Sequence, residues 1–564
     1  MNLEKITNND KHNKYEKIYK NVESEIFWGI GIENELYLEF ENKIEVTEKF
    51  FLNNHKKERY SVDYFSNYKK ELIDILFKKY LEVDNNVIKQ IPLLLNSHSF
   101  LNTDSNNQPK KLYTKLNEPN SKFLGKTLLE DILDKNILLK NSYDNEWLFD
   151  GDTIEFTTIN FYNSKLNDII SELNLYKKNF ITNIQNYQKE NKLFEKYGLI
   201  KLMEKNHPFT IHLTNINNIA MFNNGTLHYN ITLPTLLNNK KIVDSEKFIN
   251  IHKIAIKIIQ WFEPFLISMY NTVEPFNLLK NDKLNNLEYT ISSSSQRCVI
   301  SRYIGIGTYD SDKMEKGKIL TVPTSSFNVY KNWWYNKFHE NSIYNKLDNV
   351  GLDINFNKHY NHGIELRFFD HISNKKLLTE SFEFIIYLMD HILDNNKDND
   401  IDSKDTKDNK DSNNILNPIY NDIWNELVLN SIKDGKKTIL TDNQISFYAK
   451  IINININDLN KAKNINNVYY FIYYNLVIRY NKIIKLDKNE QYKLIPNGKF
   501  SKLALNTKIM NYSEITNIFK YCNFIFTDKY NDNQSLDNKS LDNKIEEKQD
   551  NIDVDCSLCY KCFF

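Results

Sequence analysis

Four separate segments of the chain alternate strictly between apolar and polar residues. A period of two is typical of a β-strand that buries one face, because successive side chains point to opposite sides of the sheet. The pattern therefore predicts four strands, each with one apolar and one polar side. Their sequences are FWGIGIENELYLEFE (27–41), DGDTIEFTT (150–158), LHYNITLP (227–234) and HGIELRFFD (362–370).

The polar sides of these strands carry ionisable groups. Glu33 and Glu35 stand two residues apart in the first strand, a spacing that puts like charges roughly 6 to 7 Å from each other. Water or a cation relieves such repulsion, and one strand of this kind fits a half-solvated edge strand. Four strands with a carboxylate, imidazole or guanidinium on the polar side favour a sheet whose concave side is a polar site. On the polar sides of the other three strands, the candidate site residues are Glu155, His228, Asn230, Glu365 and Arg367.

Carboxylates that come together from several strands suit the handling of nucleotides with hard divalent cations. Mg²⁺ takes oxygen ligands in octahedral geometry and keeps some waters, so carboxylates and phosphate oxygens form the expected shell. His228 is less usual for Mg²⁺ and also suits Mn²⁺; a hydrogen-bonded, half-buried histidine is the alternative. Arg367 follows Glu365 by two residues, where its guanidinium can reach a phosphoryl group or pair with an acid such as Asp370.

Five short blocks follow one another between residues 31 and 370, namely GIENE, TIEFTT, HYNITLP, SSQR and GIELRFFD. This ordered set resembles the glutamate–cysteine ligase branch of the glutamine-synthetase-like carboxylate–amine ligases. The resemblance implies an α+β fold with a curved, mainly antiparallel sheet, flanking helices and a helical region towards the C-terminus. The chain also looks similar to uncharacterised proteins of large DNA viruses.

Carried onto the matching positions, the resemblance implies a metal centre beside bound ATP. Arg367 and Arg297 would face the transferred phosphate, and Asn230 would contact the nucleotide. Asp150 and Asp152 stand at a spacing unlike that of the family's acid and are left out of the ligand set. No residue matches the family's cysteine pocket, so the acceptor amine and the donor carboxylate stay open. The implied ligands of Mg²⁺ or Mn²⁺ are Glu33, Glu35, Glu155, His228 and Glu365.

The activity that the resemblance implies is ATP- and Mg²⁺-dependent joining of a small-molecule carboxylate to an amine. The γ-phosphate passes to the carboxylate, for which the γ-carboxylate of glutamate is one candidate, and the amine then displaces phosphate from the acyl phosphate to form an amide. Two alternatives remain. One is a phosphotransferase of the guanidino-kinase kind, and the other is a non-catalytic viral protein that retains the fold.

Changes in composition predict the domain organisation. Long helices are expected at about 247–270 and 376–393, where apolar residues recur every three or four positions. A stretch of alternating Lys and Asp cannot bury enough surface to order itself and reads as a linker. The predicted parts are a catalytic domain (1–394), a disordered linker (395–415), a helical region (416–527) and a disordered tail with Cys556, Cys559 and Cys562 (528–564).

Composition also narrows the partners and the compartment. The 73 basic and 73 acidic residues cancel, which argues against a dedicated nucleic-acid binder. No apolar signal core opens the sequence and no run reaches the roughly 20 apolar residues of a membrane span. Five cysteines without a disulfide framework indicate a reducing, intracellular location. The resemblance to viral proteins implies the cytoplasm of a host cell or a virion. With only 13 glycines, the turns are expected to use Asn and Asp.

Overall fold

The fold is built on an antiparallel sheet that unites the four alternating segments. The computed structural model describes residues 26–36, 38–41, 128–143, 145–150, 153–192, 198–202, 226–239, 241–270, 306–319, 351–357, 363–395, 415–486 and 490–522. The strands in these residues are β1 (Ile26–Leu36), β2 (Leu38–Phe40), β3 (Trp147–Asp150), β4 (Thr153–Thr157), β5 (Ile200–Leu202), β6 (Thr226–Asn238), β7 (Lys241–Ile242), β8 (Ile306–Asp310), β9 (Glu315–Ile319), β10 (Gly351–Leu352), β11 (Ile354–Phe356), β12 (Ile364–Asp370), β13 (Asn481–Leu486), β14 (Gln491–Pro496) and β15 (Lys508–Asn511).

The large sheet places the four segments on adjacent strands. Its order is β11, β12, β6, β1, β4 and β3, with β7 paired to β6, and all of these pairs are antiparallel. Smaller sheets join β8 with β9 and β10, β13 with β14 and β15, and β2 with β5. The predicted α+β class with a mainly antiparallel sheet is confirmed. β1 is flanked by a partner on each side, so the interpretation as an edge strand is wrong.

Long helices pack against the large sheet. The two long helices expected from the spacing of apolar residues are confirmed at α4 and α5. The helices in the described residues are α1 (Leu128–Lys135), α2 (Ile137–Ser142), α3 (Leu166–Glu190), α4 (Ser245–Tyr270), α5 (Lys375–Asn395), α6 (Asp422–Asp434), α7 (Asp442–Ile452), α8 (Ile456–Asn460), α9 (Ile465–Arg479), α10 (Ser501–Ala504) and α11 (Tyr512–Tyr521).

Large aromatic side chains hold the apolar face of the sheet against α3 and α5. Tyr229 of β6 stacks on Phe382 of α5 with ring centroids 4.4 Å apart, and its hydroxyl lies 2.7 Å from Ser381 Oγ. Phe156 of β4 meets Phe180 of α3 edge to face at 5.5 Å. Burial of one such ring stabilises the fold by about 1.5–3 kcal/mol. The aromatic layer therefore anchors the strands through their apolar face, and their polar side chains lie on the opposite face.

The region after the predicted linker packs on α4. Trp261 Nε1 donates to the Leu416 carbonyl at 3.0 Å, and Trp424 Nε1 of α6 donates to the Gln260 carbonyl at 2.6 Å. The prediction of a mostly helical region is incomplete, because the helical stretch ends at Arg479 and the sheet of β13, β14 and β15 follows. The chain divides into two units between Tyr512 and Ser513. The predicted domain boundaries stay a prediction.

Asparagine supplies many of the helix caps and turns, as its abundance predicts. Asn421 begins α6, Asn455 begins α8 and Asn464 begins α9, each accepting a backbone N–H with its side chain. Asn453 ends α7 at φ 54°, in the left-handed region that asparagine tolerates better than most residues. In a chain with few glycines, asparagine thus both caps helix N-termini and ends a helix in the left-handed region. None of the described helices combines the length and the apolar character of a membrane span.

Candidate metal centre

The register of the sheet brings the polar side chains of four strands to one face. Residues that are direct partners in an antiparallel pair project to the same side, with Cβ atoms about 5 Å apart. The repulsion between like charges in such positions makes the arrangement costly unless an opposite charge compensates it. The partner pairs are Glu33 with His228, Glu35 with Glu155, and Glu365 with Asn230.

All of these side chains are withdrawn from solvent. Four carboxylates in so small a buried volume require compensation by hydrogen bonds or by cations, since desolvation penalises each charge. The surface is therefore not the solvated face of an ordinary sheet. The exposed fractions are 2% for Glu33, 6% for Glu35, 3% for Glu155, 2% for His228, 1% for Asn230 and 0% for Glu365.

His228 lies between the carboxylates. Its Nδ1 is 3.3 Å from Glu33 Oε2 and 3.5 Å from Glu365 Oε1, and its Nε2 is 3.8 Å from Glu35 Oε1. One ligand atom each from Glu33, His228 and Glu365 lies within 4.8 Å of the others. Three of the five predicted ligands therefore come together directly, and Glu35 reaches the group across the imidazole. Glu155 stands opposite Glu35 on β4.

Neutral side chains hydrogen-bond to three of the carboxylates. Thr226 Oγ1 donates to Glu35 Oε2 at 2.7 Å, and Asn355 Nδ2 donates to Glu365 Oε2 at 2.7 Å. Thr157 Oγ1 donates to Glu155 Oε1 at 3.1 Å. The sequence pattern did not identify Thr226 or Asn355. Thr226 lies one residue before the third alternating segment, and Asn355 lies on β11, whose pairing with β12 places it opposite Glu365.

Arg367 lies at the border of the group. Its Nε is 3.9 Å from Glu365 Oε1, and its side chain is 26% exposed. The ladder between β12 and β6 is interrupted between Leu366 and Phe369, and such a bulge redirects the side chain that it contains. The guanidinium of Arg367 is therefore partly exposed to solvent and lies beside the buried carboxylate of Glu365. Arg297 and Asp152 lie outside the described residues, as do most of the predicted linker and the cysteine-bearing tail.

The donor set fits a hard divalent cation. Carboxylate oxygens dominate it, and one imidazole nitrogen is compatible with Mg²⁺ and better suited to Mn²⁺. A second observation is the Asn230 amide on the same face. Within the described residues, neither its Nδ2 nor its Oδ1 has a hydrogen-bond partner, although only 1% of Asn230 is exposed. An amide buried in this way costs about 1–3 kcal/mol unless a ligand or ordered water pairs with it.

A second polar group braces the strands from the opposite face. The Asn34 amide nitrogen donates to the Thr226 carbonyl at 2.9 Å and lies 3.1 Å from His371 Nδ1, while Lys177 Nζ of α3 donates to its oxygen. Desolvation lowers the pKa of the Lys177 ammonium to about 7. Burial, followed by the nearby Lys177 charge, lowers the pKa of His371 well below its usual value. This brace fixes β1 and β6 to the end of β12 and to α3.

No protein-family model matches the chain. The chain is 38% identical over 393 residues to "Uncharacterized protein R704" of Acanthamoeba polyphaga mimivirus. The match covers 69% of this chain and 66% of that protein, which is slightly less than two thirds of its length. The expected similarity to uncharacterised proteins of large DNA viruses is thereby confirmed, and a viral origin is supported.

Proposed function

We propose that the protein is an ATP- and Mg²⁺-dependent ligase that joins a carboxylate to an amine through an acyl phosphate. One observation carries the proposal. Residues that the ligase resemblance singles out in blocks far apart in the sequence converge on one buried face of an antiparallel sheet. The three at its centre are Glu33, His228 and Glu365. The glutamine-synthetase-like form of the sheet is part of the proposal.

The predicted site residues divide into three roles in this scheme. Glu33, Glu35, Glu155, His228 and Glu365 hold the cations, which supply positive charge to the nucleotide phosphates. Arg367 binds the γ-phosphoryl group during transfer, because a guanidinium at the border of the site can donate two parallel hydrogen bonds. Asn230 donates to the nucleotide from its amide, which has no hydrogen-bond partner among the residues that the structure describes.

The reaction has two steps. The substrate carboxylate attacks the γ-phosphorus, the bond to the β,γ-bridging oxygen breaks, and ADP leaves. The amine nitrogen then attacks the acyl carbon, the carbon–oxygen bond to phosphate breaks, and a proton leaves the nitrogen. The products are an amide, ADP and phosphate.

The test is an ADP-release screen over amino acids, singly and in pairs, with Mg²⁺ or Mn²⁺. We expect ADP release that needs two substrates and the cation, with a new amide detected by mass spectrometry. A phosphorylated acceptor without an amide would favour a guanidino-kinase-like phosphotransferase. Protein that binds no nucleotide in the presence of Mg²⁺ would favour a non-catalytic viral protein. Glu33→Gln serves as the matched inactive control.

A further inference from the structure

Two neutral hydrogen-bond donors each occupy one oxygen of a carboxylate whose other oxygen faces His228. Asn355 Nδ2 donates to Oε2 of Glu365, whose Oε1 is the oxygen that lies 3.5 Å from His228 Nδ1. Thr226 Oγ1 donates to Oε2 of Glu35, whose Oε1 lies 3.8 Å from His228 Nε2. In both cases the donor sets the rotation of the carboxylate, so that a single oxygen is directed towards the imidazole.

Thr226 also decides which imidazole nitrogen carries a proton. Its Oγ1 lies 3.3 Å from His228 Nε2, and its own proton is given to Glu35, since an ionised carboxylate can only accept. The hydroxyl therefore accepts from Nε2–H. The Nδ1 lone pair then faces oxygens of Glu33 and Glu365, which is the arrangement of a metal-binding histidine whose other nitrogen is held by a neighbour.

We propose that Asn355 and Thr226 are positioning residues that make the centre select Mg²⁺ over Ca²⁺. Asn355 restricts Glu365 to one-oxygen coordination, and Thr226 holds the Nδ1 lone pair of His228 towards Glu33 and Glu365. Mg²⁺ binds six ligands at short distances in a nearly regular octahedron, for which single carboxylate oxygens are suited. Ca²⁺ prefers six to eight oxygens at longer distances and commonly takes both oxygens of one carboxylate. A donor that holds one oxygen of Glu365 aside disfavours that option. An imidazole nitrogen fixed as a ligand also suits Mg²⁺ or Mn²⁺ better than Ca²⁺, which takes oxygen ligands.

The inference rests on the metal centre of the proposed function and not on the ligase reaction. The experiment uses the full chain and Mn²⁺ as the probe, followed by its electron paramagnetic resonance signal as Mg²⁺ or Ca²⁺ displaces it. We expect Mg²⁺ to displace Mn²⁺ from the wild-type protein at concentrations about tenfold lower than Ca²⁺. In Thr226→Val and Asn355→Leu this ratio falls towards one.

Two controls separate positioning from folding. Thr226→Ser keeps the hydroxyl and should keep the ratio. Thr308→Val removes a buried threonine hydroxyl of β8, which donates to the Lys318 carbonyl at 3.1 Å, and should not change the ratio. Thermal unfolding without added cation verifies that each variant is folded. If Thr226→Val fails that check, Thr226→Ala replaces it, and Asn355, half-buried on the outer strand β11, gives an independent measurement.

The outcomes are distinguishable. Folded Thr226→Val and Asn355→Leu proteins with the wild-type ratio would overturn the inference and leave the ligase proposal standing. Wild-type protein without a preference for Mg²⁺ would overturn it as well. A Mg²⁺-selective centre that depends on Thr226 and Asn355, in a protein that releases no ADP with any substrate pair, would support the inference and count against the ligase.

Discussion

His391 of α5 should make the protein lose stability in mild acid. Its Nε2 donates to the Ile451 carbonyl at 2.7 Å, and its Nδ1 accepts from Arg479 Nη1 at 3.2 Å. The same Arg479 nitrogen donates to the Ile452 carbonyl at 2.9 Å. The neutral imidazole and the guanidinium together close the C-terminal end of α7. A proton on Nδ1 would remove the acceptor and place two positive charges in contact.

The sign and size of the effect follow from the pKa of this histidine. Burial, followed by the Arg479 charge, lowers the pKa of His391 from 6.5 to about 4, although hydrogen bonding to Ile451 and the nearby Asp394 act in the opposite direction. Because the folded pKa lies below the unfolded one, the stabilisation is fully present above about pH 6.5 and is lost as the pH falls towards about 4. At about 1.4 kcal/mol per pH unit, the loss reaches about 3 kcal/mol.

Urea unfolding of the wild-type protein and of His391→Gln, measured at several values between about pH 7 and pH 4, tests this expectation. Gln cannot titrate, and its amide can still donate to the Ile451 carbonyl. Between about pH 7 and pH 4, the unfolding free energy of the wild-type protein should fall by about 3 kcal/mol relative to that of His391→Gln. His371, whose pKa is also lowered, titrates in both proteins and cancels in the difference. Parallel curves would refute the reasoning.

Three further changes test the site and the fold. Mg²⁺ with ATP should raise the melting temperature by several degrees, and EDTA or Glu33→Gln should remove most of the rise; equal shifts with and without metal would count against the centre. Arg367→Ala should lower turnover about a hundredfold at an unchanged melting temperature, with Arg367→Lys recovering only part, whereas a stable and fully active Ala variant would contradict the assigned role. Gly498→Ala would make its Cβ clash with Asp390 Oδ2, which accepts the Ser501 N–H, and should lower the unfolding free energy by about 1–3 kcal/mol. A loss below about 0.5 kcal/mol would show that the turn accommodates a side chain.

The residues of the centre were predictable because period-two alternation is a local signal. Glu33, Glu155, His228 and Glu365 each stand on the polar side of a segment whose pattern alone indicates a strand. The ionisable groups on the polar sides and the resemblance both indicated that these strands share one sheet, but neither gave the order of the strands in it. The register that places Glu33 opposite His228 depends on pairing across the sheet, which local patterns do not encode.

The C-terminal strands show where local patterns mislead. Residues 466–484 are mostly apolar or aromatic and are predicted from the sequence to be helical. The helix ends at Arg479, and Asn481–Leu486 pairs with Gln491–Pro496 instead. Consecutive apolar residues such as Ile483 and Ile484 fit a helix as well as a strand, so the pairing with β14 decides between them. Tertiary contacts override local propensity here.

The order of strands in the large sheet has a consequence for how the protein folds. Glu33 and His228 are separated by 195 residues, and Asn34 and His371, which meet behind the same strands, by 337. Closing such long loops costs entropy before any contact is gained, so pairings of this kind form slowly. The ligand atoms therefore meet only once the central strands are assembled. A cation can secure the finished protein against unfolding, but it cannot serve as the nucleus around which the chain collapses.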